Sequence, residues 1–159
     1  AGLLAAAAPA LAAPPPRDMS RFPERMLEGH NLSRAQLGLP PLAWDEALAR
    51  DAERYARVLA DQERFEHSNA KGFGENLWMG TKGWFSYERM LESWTNEKFD
   101  YRHGVFPDVS PSGRAVGHYT QVVWRTTTHV GCGLAASARN EYLVCRYSPP
   151  GNWIGQRAY

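Results

Sequence analysis

Two largely apolar runs near the C-terminus constrain this chain most. Val130 to Ala136 and Tyr142 to Tyr147 flank a polar stretch at Ser137–Asn140, the pattern of a β-hairpin. Each arm carries one of the chain's 2 cysteines, Cys132 and Cys145. Hairpin arms can bring facing Cα atoms to about 5.5 Å, the separation that a disulfide needs. Such a bond would close a loop of about 14 residues, worth about 3 kcal/mol in the chain-entropy treatment. Two buried thiols are the alternative. A zinc site built on these cysteines lacks a companion Cys-x-x-Cys pair.

Upstream the pattern is helical. Ser20 can cap a helix carrying Met26, Leu27 and His30, which Gly38-Leu39-Pro40-Pro41 stops. Asp45 can cap a second, where Leu48, Ala52, Tyr55 and Leu59 form one apolar stripe. Residues 66–85, with glycines at 72, 74, 80 and 83, read as irregular chain with an extended piece at Asn76-Leu77-Trp78. Ser86 opens a third helix to about Tyr101, and the β-branched run Tyr119 to Trp124 reads as a strand. Helices first and strands later predict an α+β domain rather than alternating βαβ units.

The first residues stand apart. Residues 1–16 contain eight alanines, four prolines and no charge. They read as the remnant of a secretory signal or as an Ala/Pro-rich linker, which leaves residues 20–159 as a single domain after a leader over 1–19. The leader is too short and too weakly apolar to span a membrane. Export suits a disulfide. Asn31-Leu32-Ser33 is a formal glycosylation sequon inside a helical pattern. With 18 basic and 17 acidic residues, no broad field favours nucleic acid.

Four residues stand out chemically. On an unbroken third helix, Glu97 shares a face with Met90, Trp94 and Tyr101. A carboxylate there either borders the stripe and pairs with an arginine, or needs a polar cavity. Glu66-His67-Ser68, Gly74-Glu75-Asn76 and Gly117-His118-Tyr119 add imidazoles and another acid, the usual ligands of zinc and the commonest proton carriers. Spacing alone decides nothing here, and no metalloprotease, nucleophile-elbow, phosphate-loop or dinucleotide motif occurs. His30, His103 and His129 read as core or surface histidines.

Gly117-His118-Tyr119-Thr120-Gln121-Val122-Val123-Trp124 and Cys145-Arg146-Tyr147-Ser148-Pro149-Pro150-Gly151-Asn152 resemble the two signature motifs of the CAP superfamily. That superfamily embraces cysteine-rich secretory proteins, antigen five and the group-one pathogenesis-related proteins. His30-Asn31 with Arg34, Pro40-Pro41-Leu42-x-Trp44-Asp45, Glu66-His67-Ser68, Gly74-Glu75-Asn76-Leu77 and Trp94-x-x-Glu97 resemble further family blocks in the same order. The resemblance implies a three-layer α-β-α sandwich with a small antiparallel sheet, and a short helix rather than a strand after Gly117. It carries the family's cleft onto His67, Glu75, Glu97 and His118, with the histidines holding a divalent metal, zinc foremost. It also matches Cys132 with Cys145 as the hairpin disulfide. The Ala- and Arg-rich composition suits a bacterial member.

The resulting expectation is a secreted or periplasmic, monomeric, non-catalytic binding protein. It has a metal-capable cleft and an apolar, lipid- or sterol-like ligand, for which Trp78, Trp84, Trp94 and Trp124 together would line a groove, with a place in the core the alternative, and the favoured one for any of them taken singly. The rival is a metal-assisted or Ser/His/Glu hydrolase using the same cleft, with Ser68 a weak nucleophile candidate. A structural or adhesive module is a third reading. Neither nucleic acid nor a transmembrane segment is expected.

Overall fold

Asp45 starts the longest helix of the chain: its carboxylate accepts from the backbone N–H groups of Ala47 and Leu48, satisfying two otherwise orphaned donors. The computed structural model describes residues 16–159, so most of the expected leader lies outside the described residues. The elements are α1 (Phe22–Ala35), β1 (Ala43–Trp44), α2 (Glu46–Gln62), β2 (Gly74–Thr81), α3 (Tyr87–Thr95), α4 (Gly117–Val122), β3 (His129–Ala136) and β4 (Asn140–Ser148). Short 3-10 turns precede α1 at Met19–Arg21 and follow α3 at Asn96–Phe99. Asp18 caps the first of these, bonding the Ser20 N–H, whereas α1 starts from Arg21 without a side-chain cap, so the cap expected of Ser20 is not formed. Arg17, also assigned by sequence to the leader, packs on the domain, bonding the Glu141 carboxylate and the Phe85 carbonyl.

The sheet runs β1-β3-β4-β2, antiparallel except for the two-residue β1 lying parallel to β3. The expected hairpin is β3–β4, and its register sets Cys132 directly across from Cys145. The two are bonded, with Cα atoms 4.1 Å apart.

Alternation along the strands separates two cores. On one face, Trp78, Val130, Leu143, Tyr147 and the disulfide pack against Phe22 and Met26 of α1 and Met90 and Trp94 of α3. On the other, Leu77, Tyr142 and Val144 meet Ala52, Ala56 and Leu59 of α2. The α2 stripe is thus centred on small residues (Ala49, Ala52, Ala56, Ala60) rather than on Leu48 and Tyr55. β3 answers with glycines: a Cβ at Gly133 would sit 2.2 Å from the Glu53 Cα, and one at Gly131 would sit 2.3 Å from the Ala49 nitrogen. Small residues on both sides let helix and sheet approach closely. The outcome is the three-layer α-β-α sandwich.

Two further local expectations change, and a third feature is explained. Residues 117–122 form a helix and not the strand that their β-branched content suggests. Tyr119, Thr120, Gln121 and Val122 are all buried there, so tertiary packing overrides a weak local preference. The third helix ends at Thr95 and tightens into i→i+3 bonding, which moves Tyr101 into a cluster with Tyr119 and Tyr159. The sequon asparagine is committed to the fold: Asn31 Oδ1 accepts from Leu42 N–H at 2.7 Å and Nδ2 donates to the Leu42 carbonyl at 3.0 Å.

Two buried polar side chains hold the layers together. Arg34, 1% exposed, has no carboxylate partner among the described residues. It donates instead to the carbonyls of Pro40, Val122, Trp124 and Thr127, gathering the C-terminal end of α4 and the turn after it. His30 is fully buried, its Nδ1 bonded to the Met26 carbonyl and its Nε2 to the Tyr147 hydroxyl. Burial holds the His30 pKa down at about 4, so the ring is neutral.

Candidate metal centre at the edge of the sheet

β2 is an edge strand, and its first residues carry the site. Glu75 projects to the α2 side, whereas Asn76 projects to the side of α3 and α4. His67 stands on the irregular segment between α2 and β2, exposed over 57% of its side chain. His118 is the second residue of α4. Its ring stacks on Trp94, centroids 6.0 Å apart and planes 11° from parallel.

The four expected residues meet as two pairs. His67 Nδ1 donates to Glu75 Oε1 at 2.7 Å, and His118 Nδ1 donates to Glu97 Oε1 at 2.6 Å. The donor assignment follows from the acceptor, since an ionised carboxylate can only accept. Glu97 comes from the 3-10 turn after α3, and its second oxygen accepts from the Tyr119 N–H at 2.9 Å, at the positive end of α4. It therefore pairs with an imidazole and not with an arginine. The Glu75 carboxylate also accepts from the Ser68 N–H at 3.0 Å and the Ser68 hydroxyl at 2.7 Å.

A cleft of about 260 Å³ joins the pairs, lined by His67, Glu75, Asn76, Ala115, Gly117, His118 and Asn152. Asn76 Nδ2 donates to the His118 carbonyl and to the Tyr147 hydroxyl, both at 3.1 Å, and so ties the cleft to buried His30. Asn152, in the left-handed region at φ 57°, donates to the Gly117 carbonyl and accepts from Thr120 Oγ1. Sequence reasoning assigned no role to Asn76 or Asn152, although both lie inside the motifs it singled out.

Residues 27–147 match the family described as CAP, the cysteine-rich secretory protein family. The chain belongs to the CAP family. Pathogenesis-related protein 1C of Nicotiana tabacum is 40% identical over 134 residues, covering 84% of this chain and 78% of the relative. Pathogenesis-related leaf protein 4 of Solanum lycopersicum is 40% identical over 138 residues, covering 86% and 83%. Among solved structures, NaASP2 with Zn2+ superposes with a TM-score of 0.75 at 26% identity, covering 87% of this chain and 85% of that one. BmVAL-1 gives 0.71 at 24% identity, covering 94% and 86%. These two relatives are plant proteins, and the bacterial origin inferred from composition gains no support.

Two expectations about this CAP domain's surroundings are corrected. Trp78, Trp94 and Trp124 are 8%, 2% and 1% exposed and belong to the core, so they line no groove; of the four tryptophans named, Trp84 alone is exposed. Ser68 donates to the Glu75 carboxylate and not to a histidine, so the Ser–His pair of the rival reading is not formed. Among the described residues, one set of three candidate metal-binding atoms lies within 4.8 Å of one another: those of His30, Cys132 and Cys145. Those sulfurs are consumed by the disulfide and both His30 nitrogens are hydrogen-bonded, so this set is core and not a metal site.

Proposed function

We propose that this chain is a secreted CAP-family binding protein that takes a divalent metal, zinc foremost, on His67 and His118. The observation that carries the reading is the matched engagement of both rings. A glutamate holds each Nδ1, so each Nε2, without a protein partner among the described residues, is the nitrogen left for a ligand. Carboxylate–histidine pairs of this kind fix the tautomer and orientation of metal-binding imidazoles. The glutamates therefore orient the rings. NaASP2, the structural relative above, was solved with Zn2+. Two protein nitrogens leave positions open for water or ligand, unlike a closed structural site; when bound, the metal supplies a Lewis acid there.

Secretion is supported by the family's description and by the disulfide, a bond favoured outside the cytosol. No described helix is long and apolar enough to cross a membrane. The plant relatives lend no support to the periplasmic alternative. For an apolar ligand the support is a groove of about 230 Å³ whose apolar lining comes from Met19, Phe22, Trp44 and Leu134, with Glu46, Arg50 and Glu53 also lining it. That is below the roughly 300–1,000 Å³ of small-molecule pockets, so it suits a segment of acyl chain. The hydrolase reading loses only its Ser–His form, since Ser68 bonds Glu75 and not a histidine; the metal-assisted form does not need Ser68.

Calorimetric titration of zinc into wild type, His67→Ala and His118→Ala at pH 7.5 tests the metal reading. A single site in wild type, weakened at least tenfold in both variants, is expected. Equal affinity in all three proteins would remove the site.

A further inference from the structure

The two histidine–glutamate pairs are not equivalent. Behind Glu97, among the described residues, stands the Tyr119 N–H of the α4 backbone. Behind Glu75 stands a cation: Arg146 Nη2 lies 3.1 Å from Glu75 Oε2. The β2–β4 register sets these two residues directly opposite each other. Cross-strand neighbours on one face are close enough to interact.

Arg146 is itself clamped. Its side chain is 3% exposed, and Nη1 donates to Asp51 Oδ2 of α2 at 2.7 Å. The guanidinium lies over the Phe73 ring at 4.1 Å and the Tyr55 ring at 5.4 Å from their centroids. Its Nε is buried and has no partner among the described residues. A buried donor left unmade is a cost, so the two Nη contacts are what this arginine contributes. Asp51, Tyr55 and Phe73 come from α2 and the chain entering β2, and Glu75 and Arg146 from paired strands. Asp51, Tyr55, Glu75 and Arg146 lie on regular elements. His67 does not: it is exposed, on chain without regular structure, and among the described residues the Nδ1 bond to Glu75 is its one side-chain hydrogen bond.

We infer that Arg146 is the positioning residue for the loop-borne half of the metal site: it holds the Glu75 carboxylate so that His67 presents Nε2 to the cleft. His118 needs no such device, because a helix, the Trp94 ring and Glu97 already fix it. The inference rests on the metal reading for its purpose, but its geometric content is separate. Partners that orient a ligand typically change metal affinity 10–100-fold when removed.

The test uses Arg146→Met, which keeps an unbranched chain between the two rings, and Arg146→Lys, which keeps one cation without the two-pronged geometry. In metal-free protein at pH 8, nitrogen-15 shifts report the tautomer of each histidine, with His118 as the internal reference. Expected in Arg146→Met is a lower Nδ1–H fraction at His67, an unchanged His118, and zinc affinity 10–100-fold weaker, with Arg146→Lys in between. An unchanged His67 tautomer overturns the inference, whether or not zinc affinity falls, because Arg146 would then act by another route. Should Arg146→Met fail to fold, Arg146→Lys decides by the same two readouts. If wild type binds no zinc, the functional reading falls, while the tautomer comparison still decides the role of Arg146.

Discussion

Acid should destabilise this protein through one buried ring. His30 is fully enclosed, donates to the Met26 carbonyl, and offers Nε2 to the Tyr147 hydroxyl as an acceptor, which requires a neutral imidazole. Its pKa is about 4 in the folded protein against 6.5 for the free side chain, chiefly because burial disfavours the charged form, with nearby Arg34 adding to the effect. The unfolded chain therefore takes up a proton near pH 6.5, whereas the folded protein does so only near 4. Stability from this group is complete above pH 6.5 and declines as pH falls to about 4, by about 3 kcal/mol in total. By pH 5 about 2 kcal/mol of it is gone. The assay is urea unfolding of wild type and His30→Gln at pH 7.5 and pH 5. Glutamine keeps a donor and an acceptor but does not titrate, and the other four histidines and all carboxylates are common to both proteins. His30→Gln should be less stable at pH 7.5 yet lose about 2 kcal/mol less than wild type on going to pH 5. Equal losses in the two proteins would refute the argument.

Other outcomes follow from equally specific contacts. Arg34→Met leaves four carbonyls, those of Val122, Trp124 and Thr127 in buried hydrogen bonds, without their charged donor, and hydrogen bonds to charged groups are worth about 1.5–3 kcal/mol each. We expect a loss of at least about 3 kcal/mol in urea unfolding; less than 1 would mean the turn after α4 does not depend on it. Gly133→Ala drives a methyl against the α2 backbone and should cost about 2 kcal/mol or more, seen as a lowered melting temperature. A melting temperature equal to wild type would show that α2 can lift freely. Wild type, with and without zinc, should show no peptidase or esterase turnover above a His67→Ala/Glu97→Ala control; turnover that the double variant abolishes would restore the hydrolase reading.

The hairpin was legible because its alternation, its polar turn and its cysteines all follow from a period of two, which local sequence records. The α2 cap was legible for a similar reason: an aspartate before a helical stripe has a local purpose. α4 was not legible from its residues. Thr120, Val122 and Val123 favour a strand locally, and only their burial and the Arg34 hydrogen bonds to the carbonyls at its end show why a helix forms; the resemblance supplied that answer, the residue pattern did not. Glu97 was rightly suspected, but its partner is 21 residues away on another element, a distance that periodicity cannot bridge. Arg34 and Arg146 look like ordinary basic residues in sequence, since burial without a matching run of acids leaves no local trace. Their only signal was position: each falls inside a block that resembles the family, with no stated reason for an arginine there.

Zinc-edge X-ray absorption of the protein loaded with one equivalent tests the central claim most directly. The account predicts a first shell of nitrogen and oxygen at about 2.0–2.1 Å, with the outer-shell pattern of two imidazoles and no sulfur. Loss of one imidazole is expected in His67→Ala and again in His118→Ala. A sulfur shell near 2.3 Å, or an imidazole count that neither substitution changes, would contradict it.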